Sequence, residues 1–316
     1  MLSHIPNKKN ITDAANLIEP YINKTPILTS SAFNHLYAAL FFVKCENFQK
    51  VGAFKSRGAV HAILNATDEK RKKGVGTHSS GNHAQALARA AKLFGIPAYI
   101  VMPENSPKVK IEAVKAYGGK ITFCEPTLEA RESTLHRIIE KTGITEIHPY
   151  DNYDIIAGQA TAAKELLQEV PDLDIILCPV GGGGLLSGTA LSVAYFSNNV
   201  KVIACEPSGA DDAYKSFHAG HIIPSLKPDT IADGLLTSLG KRNFPIIQKY
   251  VSEIVTVKDE TIIQAMKWAF ERMKIVIEPS SAVPIAAVMA EKVEVSGKKV
   301  GVIISGGNVD LKKLPF

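Results

Sequence analysis

Residues 175–188 read IILCPVGGGGLLSG, an unbroken apolar run followed by four glycines and a second apolar segment. The first run predicts a strand buried on both faces, and the second predicts a helix. Glycines let the backbone approach a ligand closely, and the amino end of the next helix adds a positive dipole. This strand–loop–helix unit therefore predicts an α/β protein with an anion site, best suited to a phosphate, at residues 181–184.

Two familiar phosphate loops do not fit this glycine run. It lacks the Gly-Lys-Ser/Thr ending of the nucleoside-triphosphatase loop. Leu186 or Ser187 stands where the dinucleotide fingerprint has its last glycine. A plain tight turn is the alternative interpretation, although four consecutive glycines would be an entropically unfavourable way to build one.

Other short apolar runs of the same continuous kind alternate with helical segments along the chain. The predicted strands are 41–45, 98–102, 121–124, 175–178, 202–205 and 300–304, and the predicted helices are 82–94, 108–117, 128–141, 158–169, 185–195 and 260–274. This alternation predicts an α/β fold of mostly parallel, twisted sheets flanked by helices. Because single cores stop growing at about 250–300 residues, we expect two lobes: a large domain of residues 1–64 and 148–316, and a small inserted domain of residues 74–147.

The composition is that of an ordinary globular protein: 316 residues, 46% hydrophobic and 21% charged, with a net charge of +5. The basic run Lys70–Lys73 precedes Gly74 and is typical of a helix carboxyl end rather than of a nucleic-acid site. The four cysteines form no CxxC pair, which argues against a zinc or redox motif and fits a reducing compartment. With neither a signal region nor a membrane-length apolar stretch, we expect a cytoplasmic protein without nucleic-acid or membrane partners.

Three further segments carry groups that could do chemistry. They are SSGNH at 79–83, which opens a predicted helix, FKSRG at 54–58, and SGGN at 305–308, which follows a predicted strand. The first offers a set of hydrogen-bond donors to an anion such as a carboxylate, although helix capping alone could explain part of it. The last lies where α/β sheets bind ligands, although a turn is the simpler interpretation. A lysine before an arginine, as at Lys55, is usually a solvated surface residue.

In this order, these segments resemble the serine racemase and serine/threonine dehydratase branch of the fold type II pyridoxal-phosphate enzymes. The resemblance covers nearly the whole chain and implies a fold like that of the tryptophan synthase β subunit. It rests on FFVKCENFQK (41–50), GAFKSRGA (52–59), SSGNHAQA (79–86), the glycine run, IADG (231–234) and SGGNVDL (305–311).

The resemblance implies a pyridoxal 5'-phosphate cofactor and a role for each matching residue. Lys55 would form the Schiff base, Phe54 would lie beside the pyridine ring, and Asn82 would bond the ring hydroxyl. The cofactor phosphate would bind Gly181, Gly182, Gly183, Gly184 and Leu185, and the pyridine nitrogen would bind Ser305. The substrate carboxylate would be held by Ser79, Ser80, Asn82 and His83, with help from Arg131.

Lys55 and Ser80 are implied to act as acid/base groups on opposite faces of Cα. Such a pair permits racemisation, and loss of the β-hydroxyl would give pyruvate and ammonia, so the expected enzyme is a serine racemase with L-serine/L-threonine dehydratase activity. Ala84 stands where many racemase-like sequences have glycine, and His83 stands where cysteine synthases have threonine. The alternatives are a threo-3-hydroxyaspartate ammonia-lyase and a non-catalytic cofactor carrier or amino-acid sensor.

An acidic segment, EPSGADD at 206–212, follows a predicted strand. Its carboxylates and a backbone carbonyl suit a hard cation, although acidic residues also commonly cap the next helix. The resemblance implies a divalent cation (Mg²⁺, with Ca²⁺ or Mn²⁺ as alternatives) at Glu206, Ala210 and Asp212. It also implies a homodimer and raises ATP activation, for which Lys50 matches but Val51 replaces a threonine.

Overall fold

The computed structural model describes residues 1–106 and 108–316. The strands are β1 (Ile27–Leu28), β2 (Leu40–Cys45), β3 (Val75–His78), β4 (Ala98–Pro103), β5 (Lys120–Cys124), β6 (Thr145–Glu146), β7 (Ile175–Pro179), β8 (Lys201–Pro207), β9 (Glu253–Val257) and β10 (Lys299–Ile304). The helices are α1 (Lys8–Ile18), α2 (Ser31–Tyr37), α3 (Lys55–Leu64), α4 (Asp68–Lys73), α5 (Asn82–Leu93), α6 (Lys108–Ala116), α7 (Leu128–Thr142), α8 (Tyr153–Glu169), α9 (Gly184–Phe196), α10 (Asp212–Ala219), α11 (Phe244–Tyr250), α12 (Asp259–Trp268) and α13 (Pro279–Met289).

The strands form two sheets. The six-stranded sheet has the order β1-β2-β10-β7-β8-β9, in which β1 runs antiparallel to β2 and every other pair is parallel. The four-stranded sheet has the order β5-β4-β3-β6, and all its pairs are parallel. The predicted α/β class with mostly parallel sheets is therefore confirmed. The division into domains at residues 64, 74 and 147 stays a prediction.

All six predicted strands are present, with ends that extend by one or two residues at most. The apolar pattern does not predict β1, β3, β6 and β9. Two of these have only two residues each, and β3 contains Gly76 and Thr77 in place of large apolar side chains. Strand β3 is nevertheless completely buried, because it lies between β4 and β6 in the smaller sheet.

The six predicted helices are also present, with two differences. Helix α8 begins at Tyr153 rather than at residue 158, because the Asn152 side chain accepts hydrogen bonds from the first-turn amides of Asp154 (2.8 Å) and Ile155 (3.2 Å). Helix α12 ends at Trp268 and continues as a π-helical turn, Ala269–Met273. The basic run 70–73 ends helix α4, with Gly74 as its carboxyl cap, as predicted.

Helix α3 positions the site, but the apolar pattern of the sequence does not predict it. Eight of its ten residues are buried, so its sequence shows no polar face. It packs against α8 at a contact between two glycines, where a Cβ added to Gly158 would lie 2.6 Å from the Cα of Gly58. The two helices run in opposite directions here, since the Nδ1 of His61, near the carboxyl end of α3, lies 2.7 Å from the carbonyl of Asp154 in the first turn of α8.

A buried charge network fixes the same helix. Arg57 is fully buried and donates from Nε to Glu46 (2.7 Å) and from Nη1 to Glu165 (2.6 Å). Lys44, also fully buried, donates to Glu165 at 2.6 Å and to the carbonyl of Thr25 at 2.8 Å. Two cations thus balance two carboxylates, and the network ties α3 to β2, to the turn that follows β2, and to α8.

Within the described chain, the four cysteines are free and buried. Among the same residues, none of the helices combines the length and the hydropathy that a membrane crossing requires.

Candidate active site

One cavity of about 210 Å³ lies where the carboxyl ends of strands from both sheets meet. It is lined by the end of β3, the start of α5, the loop between β7 and α9, and the residue after β10. The residues brought together here include the predicted cofactor and substrate residues: Phe54, Lys55, Ser79, Ser80, Asn82, His83, Arg131, Gly181, Gly182, Gly183, Gly184, Leu185 and Ser305. Segments separated by up to 250 residues in sequence therefore share one site.

Lys55 is half-buried at the start of α3 rather than solvated on the surface. Its Nζ donates to the carbonyl of Pro149 at 2.8 Å and lies 4.9 Å from the centroid of the Phe54 ring. Burial lowers the pKa of the Lys55 amine to about 8, against the opposing effect of Glu278. A larger fraction of this amine is therefore neutral near pH 8 than for an ordinary lysine, as an attacking nucleophile requires.

The glycine loop opens helix α9, with Gly183 as the residue before the helix at a φ of +92°. Within the described chain, this helix end has no side-chain cap, so its first amides are available to an anion. Neighbouring loops also lie directly against the glycines. A Cβ on Gly182 would lie 2.4 Å from the ring of Tyr150, and one on Gly181 would lie 2.9 Å from the Cα of Leu235. Both the anion site and this packing therefore require glycine.

The segment 79–83 presents a second helix amino end to the cavity. Gly81 is the residue before α5, and no side chain of the described residues caps this helix end. The Asn82 side chain is engaged elsewhere: its Nδ2 donates to Glu278 at 2.9 Å, and its Oδ1 accepts from Asn308 at 2.9 Å. Capping by Ser80 or Asn82 therefore does not explain the segment, whereas binding of a carboxylate by its amides would.

The Ser305 hydroxyl follows β10 and is buried. It lies 2.9 Å from the Ser281 hydroxyl, and either atom can be the donor. The single hydroxyl hydrogen of Ser281 can go either to the carbonyl of Gly306 (2.7 Å) or to Ser305. In the second arrangement the hydrogen of Ser305 is free to bond a ring nitrogen, as the resemblance implies. The main chain at Ser305 also fixes the start of α3, because its carbonyl accepts from the amide of Phe54 at 2.9 Å.

Sequence reasoning missed Glu278, Tyr150 and Lys110, which also line the cavity. Glu278 precedes the Pro279 that opens α13, so it resembles an ordinary helix-start carboxylate. In the fold it is buried, and burial raises the pKa of its carboxyl to about 7 against the lowering effect of the Asn82 hydrogen bond. Lys110 pairs with Asp233, so part of the IADG segment closes one side of the cavity.

Arg131 is charged, whereas His78 and His148 are neutral at physiological pH. Burial, reinforced by the charge of Arg131, lowers the pKa of His78 to about 4, and burial lowers that of His148 to about 3, so both rings are neutral near pH 7. The Nε of Arg131 is buried and has no hydrogen-bond partner among residues 1–106 and 108–316. Arg131 is therefore a cation available to an anionic group in this cavity.

The predicted metal residues lie away from this cavity, at the end of β8. The two carboxyl oxygens of Glu206 accept from the amides of Ala213 (2.9 Å) and Tyr214 (2.8 Å), so Glu206 caps α10. Both carboxyl oxygens of Asp212 are buried and, in the described chain, neither has a partner with hydrogen-bond geometry. Burial raises the pKa of Asp212 to about 6 despite smaller lowering effects of Ser225 and the Leu239 backbone.

Glu206 and Asp212 do not belong to a cluster of three or more metal-binding side chains, and none of the described residues form such a cluster elsewhere. The donor set is instead two carboxylates and the carbonyl of the buried Ala210. Mg²⁺ and Ca²⁺ accept such oxygen sets when water completes the coordination. The partnerless oxygens of Asp212 fit a cation, and each Glu206 oxygen, which accepts one amide hydrogen bond, keeps a second lone pair for it.

Comparison with known proteins gives consistent matches over nearly the whole chain. Residues 18–306 match the family described as pyridoxal-phosphate dependent enzyme. A β-hydroxyaspartate dehydratase of Paracoccus denitrificans is 48% identical over 99% of each chain, and a serine racemase of Dictyostelium discoideum is 50% identical over 97% of this chain and 96% of its own. The structure of maize serine racemase superposes with a TM-score of 0.96 at 43% identity, covering 98% of this chain and 96% of that one.

Proposed function

The chain belongs to the pyridoxal-phosphate dependent enzymes, and from this premise we propose that it racemises serine and eliminates ammonia from L-serine and L-threonine. One observation carries the proposal: a half-buried amine, Lys55, and a hydroxyl, Ser80, line the same cavity as two uncapped helix ends. The cavity thus combines two proton-transfer groups with separate places for a phosphate and a carboxylate. Membership in a family of enzymes favours catalysis over the carrier or sensor alternative.

The cofactor supplies one chemistry: when it is bonded to the substrate nitrogen, its ring withdraws electrons from Cα and makes the α-proton removable. The residues of this chain do the rest. The amides at the start of α9 would hold the phosphate, and those at the start of α5 would hold the substrate carboxylate. Lys55 removes the proton from one face of Cα, and Ser80 returns one to the other face. The buried hydroxyl of Ser305 would bond the ring nitrogen, and because it is a neutral partner it would leave that nitrogen unprotonated.

A second candidate is the elimination of ammonia from threo-3-hydroxyaspartate. The β-hydroxyaspartate dehydratase from Paracoccus is as similar to this chain as the serine racemase is. The specific observation that favours it is Arg131, whose buried Nε lacks a partner in the described chain and whose side chain lines the cavity. A guanidinium in this position would pair with the second carboxylate of that substrate.

The decisive experiment offers the purified holoenzyme L-serine, D-serine, L-threonine and threo-3-hydroxyaspartate. Pyruvate, ketobutyrate, oxaloacetate and the enantiomer ratio of the remaining substrate are measured. We expect pyruvate from L-serine together with inversion of serine. A kcat/KM for threo-3-hydroxyaspartate above that for serine would favour the second candidate. Keto acid from none of them, without inversion, would overturn both candidates.

Substitution of Ser80 tests whether this residue transfers the proton on only one face of Cα. In Ser80→Ala we expect inversion of serine and consumption of D-serine to fall by about 10²-fold or more, the usual contribution of one general acid–base group. Elimination from L-serine should fall by less than about tenfold, because Lys55 still removes the proton of the L-enantiomer. Chiral chromatography and pyruvate release measure the two rates.

Ser79→Ala is the matched control, since Ser79 lines the same cavity one residue away. It should change inversion and elimination by similar factors. Equal losses of inversion and elimination in Ser80→Ala would contradict the assignment of Ser80 to one face.

We propose that the divalent cation binds at Glu206, Ala210 and Asp212 and stabilises the fold. With Mg²⁺ at a hundredfold excess over Kd, binding would add about 2.7 kcal/mol, or about 5 °C in Tm at about 2 °C per kcal/mol for a chain of this size. We expect EDTA to lower the Tm of the wild type by that amount and to leave Asp212→Asn nearly unaffected. Asp211→Asn is the control, because Asp211 is paired with Lys215 at the surface. An unchanged wild-type Tm in EDTA would count against the cation.

A homodimer, ATP activation and a cytoplasmic location also remain proposals. Exposed apolar side chains at Phe48 and Val276 support the dimer, and they lie close together because the Asn47 amide donates to the carbonyl of Val276 at 3.2 Å. ATP activation rests on Lys50 alone. The four free cysteines support a reducing compartment.

A further inference from the structure

The side chain of His83 is held in one tautomer. His83 is 2% exposed, lines the cavity, and places its Nε2 2.9 Å from the carbonyl oxygen of Ile147. A carbonyl oxygen can only accept a hydrogen bond, so Nε2 must carry the hydrogen. The other ring nitrogen, Nδ1, then carries a lone pair as long as the ring stays neutral.

The ring does stay neutral. Burial lowers the pKa of His83 to about 3, with further lowering by Lys55, His148 and His78 that exceeds the raising effect of the Ile147 carbonyl. The Nδ1 atom is buried and, among residues 1–106 and 108–316, has no hydrogen-bond partner. The cavity thus contains a buried acceptor that the described protein leaves unsatisfied, which is unfavourable unless a water molecule or a ligand donates to it.

In this tautomer, with Nε2 donating to Ile147, the His83 ring has no N–H left to donate to the substrate carboxylate. A carboxylate only accepts hydrogen bonds, and a lone pair facing it would be repulsive. The uncapped amides of α5 can hold that carboxylate without the imidazole. Of the other polar groups of a hydroxy-amino acid, the amine is the one that the cofactor takes up. The β-hydroxyl is the remaining donor.

We propose that Nδ1 of His83 accepts the hydrogen bond of the substrate β-hydroxyl and thereby selects hydroxy-amino acids over those without this group. The proposal rests on the proposed function and deepens it. A site with a buried acceptor discriminates strongly against an analogue that lacks the donor, because the acceptor is then left unpaired. Serine and threonine satisfy His83, whereas alanine does not.

Two substitutions each keep one of the two hydrogen-bonding functions of the imidazole, the donor at Nε2 or the acceptor at Nδ1. His83→Gln keeps an amide N–H at the position of Nε2, where it can still donate to Ile147, but leaves no acceptor at the position of Nδ1. His83→Asn keeps an acceptor oxygen at the position of Nδ1 but loses the bond to Ile147. The measured quantity is the ratio of α-proton exchange rates of L-serine and L-alanine in deuterated water, followed by ¹H NMR on the holoenzyme.

We expect the serine-to-alanine ratio to fall about tenfold to a hundredfold in His83→Gln and less than about fivefold in His83→Asn. An unchanged ratio in His83→Gln would overturn the proposal. So would an equal fall in both variants, because the bond to Ile147 would then be the important one. Because proton exchange requires neither inversion nor elimination, the test still decides the role of His83 if the wild type turns out not to form pyruvate or D-serine.

A second measurement does not depend on turnover. In protein labelled with ¹⁵N-histidine, the Nδ1 signal of His83 should be that of an unprotonated nitrogen throughout the neutral pH range. It should move towards the hydrogen-bonded position on addition of L-serine, and less on addition of L-alanine at equal saturation. A protonated Nδ1, or equal movement with both amino acids, would contradict the proposal.

Discussion

Lys55→Ala is expected to abolish covalent binding of the cofactor and to lower kcat for every substrate by at least about a thousandfold. The Nζ of Lys55 is the amine within the cavity that burial has brought to a pKa of about 8, and it lies beside the ring of Phe54. Its loss removes both the attachment of the cofactor and the proton acceptor on one face of Cα. The yellow absorbance of the holoenzyme and mass spectrometry after borohydride reduction measure the attachment.

Lys55→Arg is the matched control, because it keeps the positive charge and most of the length but cannot form the covalent bond. It should be as inactive as Lys55→Ala, and both variants should keep the far-ultraviolet circular dichroism of the wild type. Cofactor that remains bound to a peptide other than the one containing residue 55, or turnover within tenfold of the wild type, would contradict the assignment.

The larger sheet was predictable because four of its strands are apolar on both faces. Strands β2, β7, β8 and β10 read as continuous apolar runs, and these are its central members. Strand β3 was not predictable by this criterion, since its burial comes from neighbours rather than from its own side chains. Helix α3 was missed for the opposite reason: burial on almost all sides leaves no periodic contrast to detect.

The candidate site was predictable where function depends on backbone shape and on short motifs. The glycine loop and segment 79–83 form helix amino ends by local geometry alone. Glu278 was not predictable, because it reaches Asn82 only through a contact 196 residues apart in sequence. The role proposed for His83 likewise depends on one long-range bond, to Ile147, which selects the tautomer.

The FKSRG segment gives no sign in the sequence that its arginine is buried. The side chain of Arg57 is 0% exposed and bonds Glu46 and Glu165. We expect Arg57→Met to lower the free energy of unfolding by about 3–5 kcal/mol, because it leaves the fully buried carboxylate of Glu46 without its cation. At about 2 °C per kcal/mol for a chain of this size, Tm should fall by roughly 6–10 °C. Differential scanning calorimetry at several scan rates measures it.

A second variant can separate the electrostatic part of this loss of stability from the part that comes from side-chain packing. The double variant Arg57→Met, Glu46→Gln removes the uncompensated Glu46 carboxylate along with the arginine and leaves Lys44 paired with Glu165. It should recover part of the lost Tm, since removing both members of a buried ion pair is far less destabilising than removing one. Lys9→Met, at an exposed pair with Asp13, should change stability by less than about 0.5 kcal/mol. A double variant no more stable than Arg57→Met would mean that the shape of the guanidinium, not its charge, holds α3 in place. The affinity for the cofactor should then fall in both variants, because Lys55 begins the same helix.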